Sequence, residues 1–146
     1  MSGADADAAA ELRSLFREYA DSLGEYGWLD GFAEELAVLP GGYEAVLVAR
    51  ADGELAGCVA LKRLGDDACE LKRLYVRPAA RGAGLGRVLA EAAVAEARRL
   101  GYRVLRLDTL PTMEAARALY LSLGFRPIER YNDNPIPGVI FFELQL

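Results

Sequence analysis

The stretch from Glu70 to Leu89 reads ELKRLYVRPAARGAGLGRVL: an apolar run, then three alternate glycines between two arginines, then the start of a second apolar run. The first run is rich in strand-favouring residues. After the glycines, Leu85, Val88, Leu89 and Ala92 recur at helical spacing and predict a helix to about Leu100, closed by Gly101. YRVLRLDT follows as a strand, and strand, helix, strand in that order implies a right-handed crossover joining parallel neighbours.

Bare backbone at the join has a chemical use. Glycine has no Cβ, so Gly82, Gly84 and Gly86 let backbone N–H groups turn together and let a large anion approach the peptide plane. Because the loop opens a helix, unsatisfied donors and the positive end of the helix dipole converge there. Arg81 and Arg87 flank it, and guanidinium forks suit phosphate oxygens. A Walker A loop would need a terminal Gly-Lys-Ser or Gly-Lys-Thr, and the dinucleotide pattern G-x-G-x-x-G would need glycine at position 87, which is Arg87. A plain strand-to-helix turn is the structural alternative.

Working outward, residues from Ala6 to Leu23 carry apolar side chains three and four apart, an amphipathic helix, with Asp5 and Asp7 where a helix N-terminus favours anions. Phe32, Leu36 and Leu39 predict a short second helix stopped by Pro40, Gly41 and Gly42. EAVLVARADGELAGCVALKRL is two strands joined by Asp52-Gly53, and with CELKRLYV they make an antiparallel meander. PTMEAARALYLSLGF predicts a helix starting at Pro111 or Thr112 and stopping at Gly124; RPIER, the loop YNDNPIPG and the strand VIFFELQL complete the chain. The expected fold is α/β of the α+β kind, a mixed, mostly antiparallel sheet of six or seven strands flanked by about four helices, in one domain over 1–146.

Composition narrows the chemistry. With 146 residues, 17 Lys and Arg against 22 Asp and Glu, and a net charge of −5, the overall field repels nucleic acid and anionic lipid. No apolar run approaches the roughly 20 residues that cross a bilayer, so a soluble cytoplasmic protein is expected. Cys58 and Cys69 lack metal-ligand spacing and read as buried free thiols; no metal site is expected. There is no histidine, which removes the commonest general base and nucleophile partner. Catalysis here must use carboxylates, tyrosine, backbone dipoles or a cofactor.

The loop RGAGLG from Arg81 to Gly86, the preceding ELKRLYVRP and the later ALYLSLGF from Ala118 to Phe125 together resemble the GNAT superfamily of N-acetyltransferases. The resemblance implies acetyl-CoA as cosubstrate, with its pyrophosphate on the N–H groups of Arg81, Gly82, Ala83, Gly84, Leu85, Gly86 and Arg87. It also implies a pantetheine arm paired like an added strand with the backbone of Leu74, Tyr75 and Val76, and the thioester between two splayed parallel strands, CELKRLYV and YRVLRLDT. Tyr120 matches the family's general acid. Val76 N–H is expected to donate to the acyl oxygen, and Glu70 stands where some members carry a general base. Two departures are visible: Met113 stands where the family often has asparagine, and no strand precedes the first helix.

The implied reaction is direct transfer of an acetyl group to an amine of a small molecule or peptide, with a noncatalytic acyl-CoA-binding module and a nucleotide-binding domain as the other readings. Even spacing predicts Glu70, Lys72, Leu74 and Val76 on one strand face unless a bulge intervenes. Asp30, Glu34 and Glu35 are competing carboxylates, expected in solvent. Tyr26, Trp28, Tyr43 and the Tyr131 to Asn134 loop are expected near the acceptor, and the acidic chain favours a cationic amine. The strand VIFFELQL is either interior or, if exposed, a surface for a homodimer.

Overall fold

The structure, a computed structural model, describes residues 3–24 and 32–146, with side chains from residue 9 onward. Tyr26, Trp28 and Asp30 lie outside the described residues. The chain opens with helices α1 (Gly3–Ser22) and α2 (Phe32–Val38), followed by strands β1 (Ala45–Ala51), β2 (Glu54–Arg63) and β3 (Ala68–Val76). Next come helix α3 (Leu85–Arg99), strand β4 (Val104–Thr109), helix α4 (Glu114–Ser122) and strands β5 (Arg126–Ile128) and β6 (Ile140–Gln145). The six strands form one sheet in the order β1-β2-β3-β4-β6-β5. The meander and the parallel crossover are both present: β1, β2 and β3 pair antiparallel, while β3 pairs parallel with β4 through α3.

Alternation along the strands feeds two cores. On one face Val59, Leu61, Cys69, Leu71, Leu105 and Leu107 meet α3 and α4. On the other, Cys58, Ala60 and Tyr75 meet Leu15 and Phe16 of α1 and Phe32 of α2. The helices therefore cover both faces, and the sheet separates two compartments. Both cysteines are free and buried, and desolvation pushes each thiol up to about 12. Among the described residues no helix is long and apolar enough to cross a membrane.

Three expectations change. Helix α4 begins at Glu114 rather than Pro111 or Thr112, because Leu110 to Met113 close a turn first, with the Met113 N–H donating to the Leu110 carbonyl at 3.0 Å. Strand β6 takes the interior alternative, lying between β4, which pairs along Ile140–Gln145, and β5, which pairs with Phe141 to Glu143. Glu70 and Lys72 do not share a face with Leu74 and Val76. The β2–β3 register slips between Cys58 and Ala60, where Arg73 adopts a left-handed φ of 60°, and this bulge reverses the alternation.

Gly57, on β2, faces the bulged end of β3. A Cβ there would lie 2.7 Å from the Tyr75 carbonyl oxygen and 3.0 Å from Leu89 Cδ1. Backbone cannot yield as a side-chain tip would, so Gly57→Ala is expected to cost about 1–3 kcal/mol as an overpacking change. That corresponds to a melting temperature lower by roughly 3–10 °C in thermal unfolding; an unchanged value would refute the close approach.

Candidate active site

The glycine loop leaves β3 through a short 3-10 turn at Pro78–Ala80 and enters α3 at Gly84. Gly82 and Gly84 hold φ of 90° and 79°, and nothing lies within 4 Å of where either Cβ would stand. Val88 N–H donates to the Gly84 carbonyl, the first bond of the helix, and no hydrogen bond among the described residues engages the N–H groups of Gly82 to Arg87. Six successive donors thus stand without a hydrogen-bond partner among the described residues at the positive end of a helix of 15 residues. The Arg81 N–H is not among them, since it points to the Pro78 carbonyl at 3.3 Å.

The two flanking arginines are also partly spoken for. Arg81 Nε donates to the Val76 carbonyl at 3.0 Å, with its guanidinium 5.7 Å from the centre of the Tyr75 ring. Arg87 donates to Ser122 Oγ at 2.6 Å and lies 3.6 Å from Glu91. Both side chains are exposed and bordered by the loop, so the charge around it remains positive.

From the loop a gap runs along the sheet. Strands β3 and β4 pair only over Ala68 to Glu70 against Val104 to Arg106, and both continue past that point without pairing to each other. Arg77 N–H donates to the Ala56 carbonyl on β2 at 2.8 Å. Backbone groups alternate along a strand, so the N–H groups of Leu74 and Val76 point the opposite way, into the gap. Tyr75 does not share that position: it pairs with Cys58 on β2 and its ring packs edge-on against Tyr19 of α1 at 6.0 Å.

What holds β3 in this shape is Arg73. Its guanidinium donates twice to Glu35 of α2, at 3.0 and 2.9 Å, and lies 5.1 Å from the Phe32 ring centre. Burial would push the Glu35 carboxyl up, but Arg73 outweighs it and holds the group below the ordinary carboxylate range. Glu35 is therefore tied into the sheet rather than left in solvent.

A cavity of about 60 Å³ fills the gap between Leu71 to Leu74, Asp108, Thr109 and α4, and Tyr120 lines it. Tyr120 is 5% exposed, packed on Phe125 at 5.6 Å between ring centres. Burial pushes its phenol above the ordinary tyrosine value, with the nearby Tyr19 and Asp108 adding to the rise. The hydroxyl therefore stays protonated at neutral pH. Met113 lines the same cavity, 3.5 Å from the Thr109 hydroxyl.

Through the gap lies a cleft of about 260 Å³ on the α1–α2 face, sharing Tyr19, Lys72, Arg73, Asp108, Thr109 and Met113 with the first cavity. The loop after β5 walls it. Arg130 clasps the carbonyls of Asn132 and Asn134 at 3.2 and 2.8 Å, and the two asparagine side chains each accept a backbone N–H two residues on, at 3.0 Å. So organised, the loop reaches both strands. Tyr131 donates to Glu70 at 2.5 Å, Asn132 donates to Asp108 at 2.8 Å and Asn134 to Asp108 at 3.2 Å. Glu70 is 4% exposed, also 3.6 Å from Lys72 Nζ.

Glu70 and Tyr120 do not line one cavity; Asp108 is the carboxylate that lines both the gap and the cleft. Sequence reasoning missed Asp108, Lys62 and Arg73. The one local signal was alternation: Asp108 and Arg106 interrupt the apolar set Leu105 and Leu107, which marks a charged residue on the second face of a central strand.

Sequence and structure comparisons point to one family. The model of the acetyltransferase (GNAT) family matches residues 9–125. An uncharacterized N-acetyltransferase of Schizosaccharomyces pombe is 38% identical over 142 residues, covering 93% of this chain and 87% of that protein. Among solved structures, a Klebsiella pneumoniae protein assigned to the acyl-CoA N-acyltransferases superposes with a TM-score of 0.77 at 31% identity, over 94% of this chain and 90% of its own. A GNAT acetyltransferase of Elizabethkingia anophelis, solved with acetyl-CoA bound, shares the fold at a TM-score of 0.60 and 22% identity, over 69% of this chain and 75% of its own. With the donor loop, the parted strands and the matched family pattern together, this chain belongs to the GNAT family of acetyltransferases.

Proposed function

We propose that the chain is an acetyl-CoA-dependent N-acetyltransferase that moves an acetyl group directly to an amine of a small molecule or peptide. The observation that carries the reading is the continuity of one path: the row of unengaged N–H groups from Gly82 to Arg87 leads to the open edge of β3, and that edge to a gap lined by Tyr120 and Asp108. Open space at Gly82 and Gly84 fits a diphosphate approaching the backbone.

Acetyl-CoA, when bound, would supply an acyl thioester and a thiol leaving group. The N–H groups of Gly82 to Arg87 bind its diphosphate, and Arg81 and Arg87 add positive charge. Leu74 and Val76 offer backbone groups along the open strand edge, with Tyr75 bracing β3 from the other face. The Val76 N–H orients the acyl oxygen as a backbone donor in a water-poor site. Tyr120, protonated, donates a hydrogen bond to the sulfur. Burial keeps that proton on Tyr120 until the C–S bond breaks; it would then pass to the departing sulfur, and the proton released from the newly acylated nitrogen would restore the phenol. On the far side Glu70 and Asp108, bridged by Asn132, take the proton of the incoming ammonium, and Asp108 is the member that reaches the gap.

Three variants test these roles. Tyr120→Phe is expected to lower kcat about tenfold or more with acetyl-CoA affinity nearly intact; an unchanged kcat removes Tyr120 from the reaction. Gly84→Asp keeps a residue type that tolerates left-handed backbone but sets a negative charge against the diphosphate, so acetyl-CoA affinity should fall about tenfold or more by calorimetry. Glu70→Gln and Asp108→Asn are each expected to depress kcat/KM at neutral pH by about tenfold or more, and full activity in Glu70→Gln would leave Asp108 as the base by itself.

A further inference from the structure

The charges around the cleft do not cancel, and the residue of that cancellation describes a ligand. Arg73 and Glu35 consume each other in a two-bonded pair. Glu70 is held by Tyr131 and faces Lys72. Asp108 receives only neutral amide hydrogens, from Asn132 and Asn134, and has no ion pair among the described residues. Lys62, exposed on β2, likewise has none. Both line the one cleft, and no ion pair joins them.

The cleft that both residues line measures about 260 Å³, at the lower end of small-molecule sites. Among the described residues Lys62 is the unpartnered cation of the β2–β3 wall, since Arg73 is paired with Glu35 and Lys72 faces Glu70. The exposed Asp133 sits at the outer rim, where solvent weakens it. The acidic balance of the whole chain thus misdescribes the cleft.

We propose that the acceptor is a small amino acid or amino-acid-like zwitterion, its amine set against Asp108 and its carboxylate against Lys62, with Lys72 alongside. This rests on the transferase reading given above. Asp108 lies where the cleft opens into the gap, so the amine end is the one presented to Tyr120 and the β3 edge, while the carboxylate end is held back.

The test measures CoA release from acetyl-CoA by the purified chain with each of the twenty protein amino acids, the matching carboxamides and spermidine. At least one amino acid is expected to exceed its carboxamide about tenfold or more in kcat/KM, the scale of one charge pair worth about 1.4 kcal/mol. The carboxamide's amine has the lower pKa and the larger unprotonated fraction at neutral pH, so a preference for the acid runs against the supply of free amine. Lys62→Gln should abolish the preference by raising KM for the acid, with kcat/KM for the carboxamide unchanged. Equal use of acid and amide, a preference for spermidine, or a Lys62→Gln loss shared by both substrates would overturn the zwitterion and leave the transferase standing. No CoA release from any amine would overturn the transferase reading and the inference with it.

Discussion

The paired guanidinium and carboxylate of Arg73 and Glu35 are the contact on which the rest of the site depends. Arg73 occupies a left-handed backbone position that costs a non-glycine residue about 1 kcal/mol or more. The two hydrogen bonds to Glu35 and the rings of Phe32 and Tyr19 hold it there. One ion pair with α2 thereby fixes a bulge in β3, turns Leu74 and Val76 to the α3–α4 face, and leaves Arg73 itself on the other. Losing one partner would leave the other as a largely buried unpaired charge, a severe change.

For the proposed transfer between two substrates, a sheet that parts in its middle solves a geometric problem. The donor loop and Tyr120 belong to the α3–α4 side, the carboxylates and lysines to the α1–α2 side, and the sheet would separate them if β3 and β4 stayed paired. Pairing stops at Glu70, and the opening lies where the two cavities share Asp108 and Thr109. The loop after β5 then closes the acceptor side. Pro111 Cγ lies 2.9 Å from where a Cβ on Gly138 would stand, so this loop is seated against the β4–α4 turn.

Much of the fold was legible because its signals are local. The Asp52-Gly53 hairpin, the meander, the crossover and the stop at Gly124 each follow from residues within one or two turns of chain. The donor loop was legible for the same reason, since glycines at the start of a helix present N–H groups wherever the helix goes. Glu70 and Tyr120 were singled out in the sequence, but their setting was not: no local pattern says that Tyr131 caps Glu70 from 61 residues away.

By itself, the sequence determined the order of elements, the glycine-rich turn into α3 and the absence of histidine chemistry, because periodicity, missing Cβ atoms and residue inventory act at short range. Tertiary structure alone decided which face Glu70 occupies, that Glu35 is spent on Arg73 across 38 residues, and that Lys62 and Asp108 share a cleft. A bulge of one residue reverses every side chain beyond it, and charge balance in a pocket depends on which distant groups meet. Neither is carried by spacing along the chain.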